Sequence, residues 1–315
     1  MVARWDTRER VPVSFSFDES GWTSLFSRPD EPTTERLVRL LDGDSRASFA
    51  LWAGEFDEPM GAAFIQLEGS ADAMTVVYGE VDESGARRRF ARAHDAVGDD
   101  PPVVIAAGGA YTVGAPRSQL FTADEAIEIL GDYLMRFQLP DPAQLREVEP
   151  VPGPTRTFAK TVNDTSSAFL TDLSRSYLDQ LRHDLGRMRG VDQFAYCVWA
   201  VPPRVRTWRG LYRKQGSITD YLQSAGSASA MTVELRATQD DGSVDHWVVG
   251  KPGGSPSGAP DARVRWRDDL EEVVRPHEVF TSEEAARVYF SYLMTLRPPE
   301  GCTLRRLDGL STSRT

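Results

Sequence analysis

The sequence predicts an α+β protein made of two tandem copies of one domain. Residues 121–140 and 280–299 are identical at eight of twenty positions, at an offset of 159 residues. The tetrapeptide Ala-Met-Thr-Val at 73–76 returns at 230–233, at an offset of 157 residues. Helix-like and strand-like patterns also follow one another in the same order in both halves. The 315 residues suffice for two domains of about 150 residues each.

In the first copy, the apolar spacing after Thr33 and Thr34 predicts a helix that stops near Gly43. Thr122 and Glu125 have the spacing of a capping box, which predicts the start of a second helix over 122–137. The remaining segments have strand-like or hairpin-like patterns. These predicted strands are 48–56, 62–69, 73–81, 101–113 as one strand or a pair, and 145–148.

The second copy has the same order of patterns. A helix is predicted over 176–188, and Thr281 with Glu284 predicts another capped helix over 281–296. The predicted strands are 194–202, 230–238, 246–251, 262–268 and 301–307. We therefore expect each copy to be a mainly antiparallel sheet with a leading and a closing helix.

The copies are expected to span 1–150 and 158–315. The linker between them lies at about 149–157, where proline and glycine are frequent. The stretch 251–260 has a similar composition, but it lies inside the second copy and is expected to be a surface loop.

Charge is distributed unevenly between the copies. The whole chain has a net charge of −11. Residues 1–150 contain 27 Asp and Glu against 14 Arg and no Lys, a net charge of −13, whereas residues 151–315 have a net charge of +2. The acidic copy is either adapted for solubility or directed at a basic partner.

The sequence lacks the signatures of several protein classes. Two cysteines cannot form a disulfide framework, and their spacing matches no metal site. The N-terminus has no secretory pattern, and no apolar run approaches the roughly 20 residues of a membrane span. We expect a cytoplasmic protein that has no membrane contact, metal or cofactor and is not an enzyme. His183, followed by Asp184, is expected on a solvated helix face.

A basic–aromatic segment at 204–214 is the first candidate site. Basic side chains supply charge for phosphates, and aromatic rings between them can stack on bases, so the segment predicts nucleic-acid or nucleotide binding. The alternative is that its arginines pair with the acidic first copy. Its members are Arg204, Arg206, Trp208, Arg209, Tyr212, Arg213 and Lys214.

An acidic cluster around one tryptophan is the second candidate site. An aromatic anchor ringed by carboxylates is suited to holding and steering a basic protein partner. The alternatives are a solvated sheet edge and, for the tryptophan, a place in the core. The members are Trp52, Glu55, Asp57 and Glu58, with Glu80, Asp82 and Glu83 at a neighbouring hairpin tip.

The end of each copy resembles a known family. In the first copy the stretch GGAYTVGAPRSQLFTADEAIEILGDYLMRFQLPDPAQLREVE is similar to the carboxyl end of the first numbered family of bacterial polymorphic-toxin immunity proteins. In the second copy VVRPHEVFTSEEAARVYFSYLMTL corresponds to it. The resemblance implies a small cytoplasmic α+β protein that binds and blocks a cognate toxin, often a nucleic-acid deaminase or nuclease. Family members are normally single domains, so the doubled chain departs from their pattern.

We therefore expect an immunity protein that occludes a toxin's active site by shape and charge. The runner-up is a nucleic-acid or nucleotide-binding protein that uses the basic–aromatic segment. A third alternative is an enzyme with an unfamiliar site.

Overall fold

The chain folds into two compact units, each with its own core. The first unit is Met1–Val151 with Leu173–Ser176, and the second is Pro152–Asp172 with Tyr177–Thr315. The computed structural model describes residues 13–19, 22–27, 31–53, 63–81, 87–95, 100–136, 138–148, 152–163, 165–170, 175–205, 210–211, 218–255, 257–267 and 270–307.

The first unit contains a seven-stranded antiparallel sheet in the order β2-β1-β3-β4-β5-β6-β9. A separate hairpin, β7-β8, and two helices accompany it. The elements are β1 (Val13–Glu19), β2 (Trp22–Ser27), α1 (Glu31–Arg39), β3 (Ser48–Ala53), β4 (Ala63–Ser70), β5 (Ala73–Val81), β6 (Arg87–Arg92), β7 (Pro102–Ala106), β8 (Thr112–Pro116), α2 (Ala123–Arg136) and β9 (Leu145–Glu147).

The second unit contains a seven-stranded antiparallel sheet in the order β11-β10-β12-β13-β14-β15-β18, with a hairpin β16-β17. The elements are β10 (Phe158–Val162), β11 (Ser166–Leu170), α3 (Tyr177–Gly186), β12 (Ala195–Ala200), β13 (Tyr221–Ser227), β14 (Ala230–Thr238), β15 (Val244–Gly250), β16 (Ala262–Trp266), β17 (Leu270–Val274), α4 (Ser282–Thr295) and β18 (Thr303–Arg306). None of the four helices named here has the length and apolar character needed to cross a membrane.

The predicted class, α+β with mainly antiparallel sheets, is confirmed. The order of strands in the two sheets matches position for position, from the edge pair β2-β1 or β11-β10 to the last strand β9 or β18. One expectation is corrected: α1 and α3 do not lead their units, because an antiparallel strand pair precedes each of them. The alternation Ser-Phe-Ser-Phe at 14–17 has the period of a strand and is the signal that would have indicated β1.

Both predicted capping boxes are present. The backbone N–H of Thr122 donates to Glu125 Oε2 at 2.8 Å, and the N–H of Glu125 faces Thr122 Oγ1 at 3.5 Å. In α4 the N–H of Thr281 donates to Glu284 Oε2 at 2.9 Å, and the N–H of Glu284 faces Thr281 Oγ1 at 3.4 Å. These reciprocal bonds satisfy donors that the first helical turn leaves unpaired, so each helix starts at a defined residue.

In each unit the helices pack on one face of the sheet. In the first unit this core combines helix residues with alternate residues of β3, β4 and β5: Leu37, Val38, Phe49, Leu51, Ile65, Leu67, Met74, Val76, Tyr78, Phe121, Ala126, Leu130 and Leu134. In the second unit it contains Phe158, Leu181, Leu185, Tyr196, Val198, Leu222, Met231, Val233, Leu235, Val249, Phe280, Ala285, Tyr289 and Leu293. Because side chains alternate along a strand, the intervening residues face the opposite side of each sheet.

A glycine near the end of β4 and one near the end of β13 have a backbone conformation that L side chains rarely adopt. The φ angle is 135° at Gly69 and 132° at Gly226. A Cβ on Gly69 would overlap the carbonyl oxygen of Ala73 and lie 3.0 Å from Ile105 Cδ1 of β7. A Cβ on Gly226 would overlap the carbonyl oxygen of Ala230 and lie 2.9 Å from Val264 Cγ1 of β16. These glycines let the strand turn sharply and let the hairpin lie against it.

We predict that Gly226→Ala destabilises the second unit by at least about 3 kcal/mol, because strain at φ adds to overlap with backbone that cannot move aside. Gly69→Ala should affect the first unit equally. Gly242→Ala is the matched control: its φ is 81°, but nothing lies within 4 Å of a Cβ there. The control should cost only about 1 to 2 kcal/mol. Hydrogen exchange, measured separately for the two units, compares the variants, and equal losses at Gly226 and Gly242 would contradict the prediction.

Candidate functional site

The predicted partner-binding residues are only partly within the described chain. Trp52 lies in β3 and is half-buried. Its Nε1 is buried and has no hydrogen-bond partner among the described residues. Glu55, Asp57, Glu58, Asp82 and Glu83 lie outside the described residues.

Trp52 and Glu80 do not share a surface. Trp52 is opposite Phe64, which in turn is opposite Gly79, so these three residues occupy one face of the sheet. Glu80 is the next residue in β5 and therefore belongs to the other face, the one that packs against the helices. Glu80 Oε1 lies 3.7 Å from Arg88 Nη1 of β6. A contact surface that includes both side chains must reach around the sheet edge.

The equivalent tryptophan of the second unit is in a core. Trp199 of β12 is 1 % exposed and packs with Ala159, Val201 and Leu211. Position 52 in β3 and position 199 in β12 have the same place in their sheets. The core alternative for Trp52 therefore has a direct precedent in the same chain.

The basic–aromatic segment is described only at residues 204–205 and 210–211. Arg204 is exposed. Leu211 is 1 % exposed against Trp199, and Val205 is partly buried in the same cluster. Arg206, Trp208, Arg209, Tyr212, Arg213 and Lys214 lie outside the described residues. Apolar residues thus anchor the segment to the sheet, and nucleic-acid binding stays a prediction.

The sequence analysis does not predict a buried polar network around Asp184 of α3. Asp184 Oδ2 lies 2.6 Å from Lys160 Nζ of β10 and accepts a hydrogen bond from the Tyr196 hydroxyl at 2.9 Å. Asp184 Oδ1 accepts from Gln180 Nε2 at 2.8 Å, and Nδ1 of His183 lies 3.5 Å from it. The carboxylate is therefore surrounded by donors, which is what a buried charge requires.

Burial and charge oppose each other at Asp184. Burial alone would raise its pKa, but Lys160 and His183 outweigh burial and hold the pKa of Asp184 well below its usual range. Burial, together with the adjacent Asp184 carboxylate, raises the pKa of the Tyr196 hydroxyl well above its ordinary value. The expectation of a solvated His183 is wrong: this side chain is 2 % exposed, because α3 turns it toward the protein.

The corresponding layer of the first unit is apolar. The backbones of residues 42 and 189 make equivalent bonds, to the carbonyls of Arg46 and Gln193. Leu37 lies five residues before position 42, and Asp184 lies five residues before position 189, so Leu37 of the first unit corresponds to Asp184 of the second. The sheet registers then pair the remaining residues: Phe15 with Lys160, Phe49 with Tyr196 and Leu67 with Ser224. Apolar residues thus occupy, in the same order of strands, the positions that form the polar network in the second unit.

A second polar cluster lies on the sheet face opposite the helices of the second unit. Glu234 Oε2 lies 2.9 Å from His246 Nε2 and accepts from Gln223 Nε2 at 2.7 Å. Nearby, the 1 % exposed Glu278 accepts two hydrogen bonds from Arg305, at 2.7 and 2.9 Å. Burial raises the pKa of Glu272 in β17, and the neighbouring Glu234 carboxylate raises it further.

A carboxylate–imidazole pair beside a carboxyl group with a raised pKa can exchange protons. However, the side chain of His246 is 7 % exposed and that of Glu234 is 13 % exposed, so little of the pair is open to a substrate. In the first unit the register places Val77 where the second has Glu234. The bond from Arg305 to Glu278 has a counterpart there with an uncharged acceptor, from Arg146 Nη2 to Gln119 Oε1 at 3.2 Å.

We predict that Asp184→Asn destabilises the second unit by up to about 3 kcal/mol, since it leaves the Lys160 ammonium, on a side chain that is 19 % exposed, without its countercharge. The folded-state pKa of Asp184 is depressed, so its contribution is present above the unfolded pKa of about 4 and is lost as pH falls below it. The difference in free energy of unfolding between wild type and variant should therefore narrow as pH falls from about 5 to roughly 2. Hydrogen exchange of the β12 amides measures this difference, and Asp240→Asn, at an exposed position, is the control. A difference that does not change with pH would contradict the lowered pKa of Asp184.

The triple variant Lys160→Met, Asp184→Leu, Tyr196→Phe should behave differently from Asp184→Asn. It gives the second unit an apolar layer like that of the first, and exchanging a whole buried ion pair for apolar side chains is often neutral or stabilising by about 1 to 4 kcal/mol. We expect urea unfolding to show stability equal to or above that of wild type. A loss as large as that of the single variant would show that the network is needed for folding.

The chain matches no protein-family model, no curated protein and no solved structure.

Proposed function

We propose that the chain is an immunity-type binding protein, formed by duplication of one domain, that neutralises a cognate protein toxin in the cytoplasm by covering its active site. The toxin is expected to have a basic surface, as nucleases and nucleic-acid deaminases do where they bind phosphates. The proposal starts from the similarity of residues 108–149 to the immunity family; because no family model matches the chain, its support comes from topology and charge.

The duplication is supported by backbone bonds that recur at equivalent places. Met74 and Phe121 exchange both of their backbone hydrogen bonds, at 2.9 and 2.8 Å. Met231 and Phe280 do the same, at 2.9 and 2.9 Å. Each pair joins the start of a sheet strand to the residue before a capped helix. Two unrelated domains would have no reason to share this joint together with the same strand order.

The main support for the binding proposal is that the two units have the same order of strands but very different net charges. Residues 1–150 have a net charge of −13 and residues 151–315 have +2, although both build the same order of strands. The fold therefore does not require the negative charge, which by self-repulsion opposes compaction. A basic partner would relieve that repulsion on binding and would be attracted over a distance.

The proposal is tested first by reading the genes adjacent to this one: a toxin encoded there, purified as a catalytically inactive variant, is mixed with the chain. Calorimetry should show a stoichiometric complex, and the chain should protect cells that express the active toxin. A complex with single-stranded nucleic acid instead, weakened by salt and by Arg206→Ala, Arg209→Ala and Arg213→Ala, would favour the runner-up.

We predict that the triple charge reversal Glu80→Lys, Asp82→Lys, Glu83→Lys slows association with the toxin about tenfold at low salt, because steering acts mainly on the association rate. The rate of the variant should also depend less on ionic strength, as stopped-flow mixing over a series of salt concentrations would measure.

The matched control reverses three exposed carboxylates of the second unit, Asp240, Asp261 and Glu300, to Lys. It changes the net charge of the chain by the same amount but leaves the acidic unit intact. Association rates that fall equally in both variants would assign the effect to total charge rather than to the first unit.

A further inference from the structure

The hairpin β7-β8 of the first unit exposes a face that has no charged side chain. Along β7, Ile105 is buried, whereas its neighbours Val104 and Ala106 are exposed. Val104 is 68 % exposed, the most exposed large apolar side chain of the described residues. Across the hairpin, Val104 is opposite Gly114 and Ala106 is opposite Thr112. The outward face therefore consists of apolar and small side chains over a length of about 17 Å.

The equivalent face of the second unit is charged. Ile105 and Val264 are the hairpin side chains that meet the two strained glycines, so Val104 corresponds to Arg263 and Ala106 to Arg265. Both arginines are exposed and pair with Glu271 across the hairpin. The same hairpin thus forms with a row of charged side chains on its outward face or with no charged side chain there. Solubility alone would favour the charged face.

Three exposed carboxylates flank the uncharged face, together with one exposed arginine, Arg117, which follows Pro116 at the end of β8. A Cβ on Gly43 would lie 3.2 Å from the carbonyl oxygen of Ala106, which places the turn 42–44 against one end of β7. Asp42 and Asp44 of this turn are exposed. Asp100, also exposed, precedes the other end of the strand by two residues. The second unit has Arg189 and Val191 where the first has Asp42 and Asp44.

We propose that the outward face of β7-β8, centred on Val104 and rimmed by Asp42, Asp44 and Asp100, is the surface that docks the basic protein partner. Specific interfaces combine an apolar centre that excludes water with a polar rim that sets orientation and association rate. Val104 would supply the centre, and the aspartates would meet lysines and arginines of the partner. This inference rests on the proposed function and assigns it a surface distinct from Trp52 and Glu80.

Charge decides between a basic protein and a second copy of this chain as the occupant. Two first units brought together through this face would each contribute a net charge of −13, together with the same three aspartates at the rim. Repulsion between these negative charges opposes self-association at ordinary ionic strength. The same negative charge attracts a basic surface.

The test uses the double variant Val104→Arg, Ala106→Arg, which gives the first hairpin the residues that the second hairpin already has. The mirror control is Arg263→Val, Arg265→Ala in the second unit. The probe is a panel of purified, inactivated nuclease and deaminase toxin domains with basic surfaces, to which any toxin encoded by an adjacent gene is added. Calorimetry should show at least about a 30-fold loss of affinity for the first variant and none for the control. Circular dichroism and thermal unfolding should show both variants folded.

Three results would overturn the inference, each in a different way. Undiminished affinity of the Val104→Arg, Ala106→Arg variant for a toxin that binds wild type would refute this surface and leave the proposed function standing. Binding of no panel member would refute the proposed function itself. Sedimentation that shows wild-type dimers which the variant abolishes would make a second copy the occupant.

Discussion

In each unit the arrangement of layers depends on a single glycine where a central strand must bend. At Gly69 and Gly226 the backbone takes φ angles of 135° and 132°, and a side chain would overlap the following strand. The bend brings Ile105 or Val264 of the separate hairpin to within contact of the strand. On the other side of the turn, Met74 or Met231 exchanges backbone bonds with the residue that precedes the capped helix. Sheet, hairpin and helix are thereby fixed relative to one another by the geometry of a few backbone atoms, which leaves most side chains free to vary.

The two cores differ in the side chains that fill equivalent positions. One layer of the first unit is apolar, with Leu37 and Phe49 buried between helix and sheet. The same layer of the second unit contains the Asp184–Lys160 pair and the Tyr196 hydroxyl, all hydrogen-bonded. A buried ion pair seldom adds net stability over apolar packing, but it restricts the partners that each group can accept. The network therefore restricts how the core of the second unit can pack. Because only the second unit has a carboxylate in this layer, protonation of the layer by acid would destabilise that unit and not the first.

The surfaces vary in the same manner, and there the variation bears on binding. The Asp184 and Glu234 clusters are in the unit whose net charge is close to zero, whereas the acidic unit has the buried Glu68–Arg175 pair and exposes an uncharged hairpin face. An apolar centre with carboxylates at its rim is physically suited to a basic protein, because water leaves the centre while the charges stay solvated at the edge. The half-buried Trp52, whose counterpart Trp199 is in a core, is less suited to be an anchor than the exposed Val104.

Features that depend on residues close together along the chain could be predicted from the sequence alone. Thr122 with Glu125 and Thr281 with Glu284 set the helix starts because a capping box spans only four positions. The hairpin of β14 and β15 follows from alternation around the turn at 239–242, and the recurrence of such patterns indicated two similar halves. Tertiary structure decided which side chains meet. Trp52 and Glu80 fall on opposite faces because register across three strands sets the face of each residue. His183 and Asp184 are buried, and Lys160 and Tyr196, 24 and 12 residues away from Asp184 along the chain, come to lie beside its carboxylate. Such a partner is supplied by the packing of a helix on a sheet, and no local pattern in the sequence specifies it.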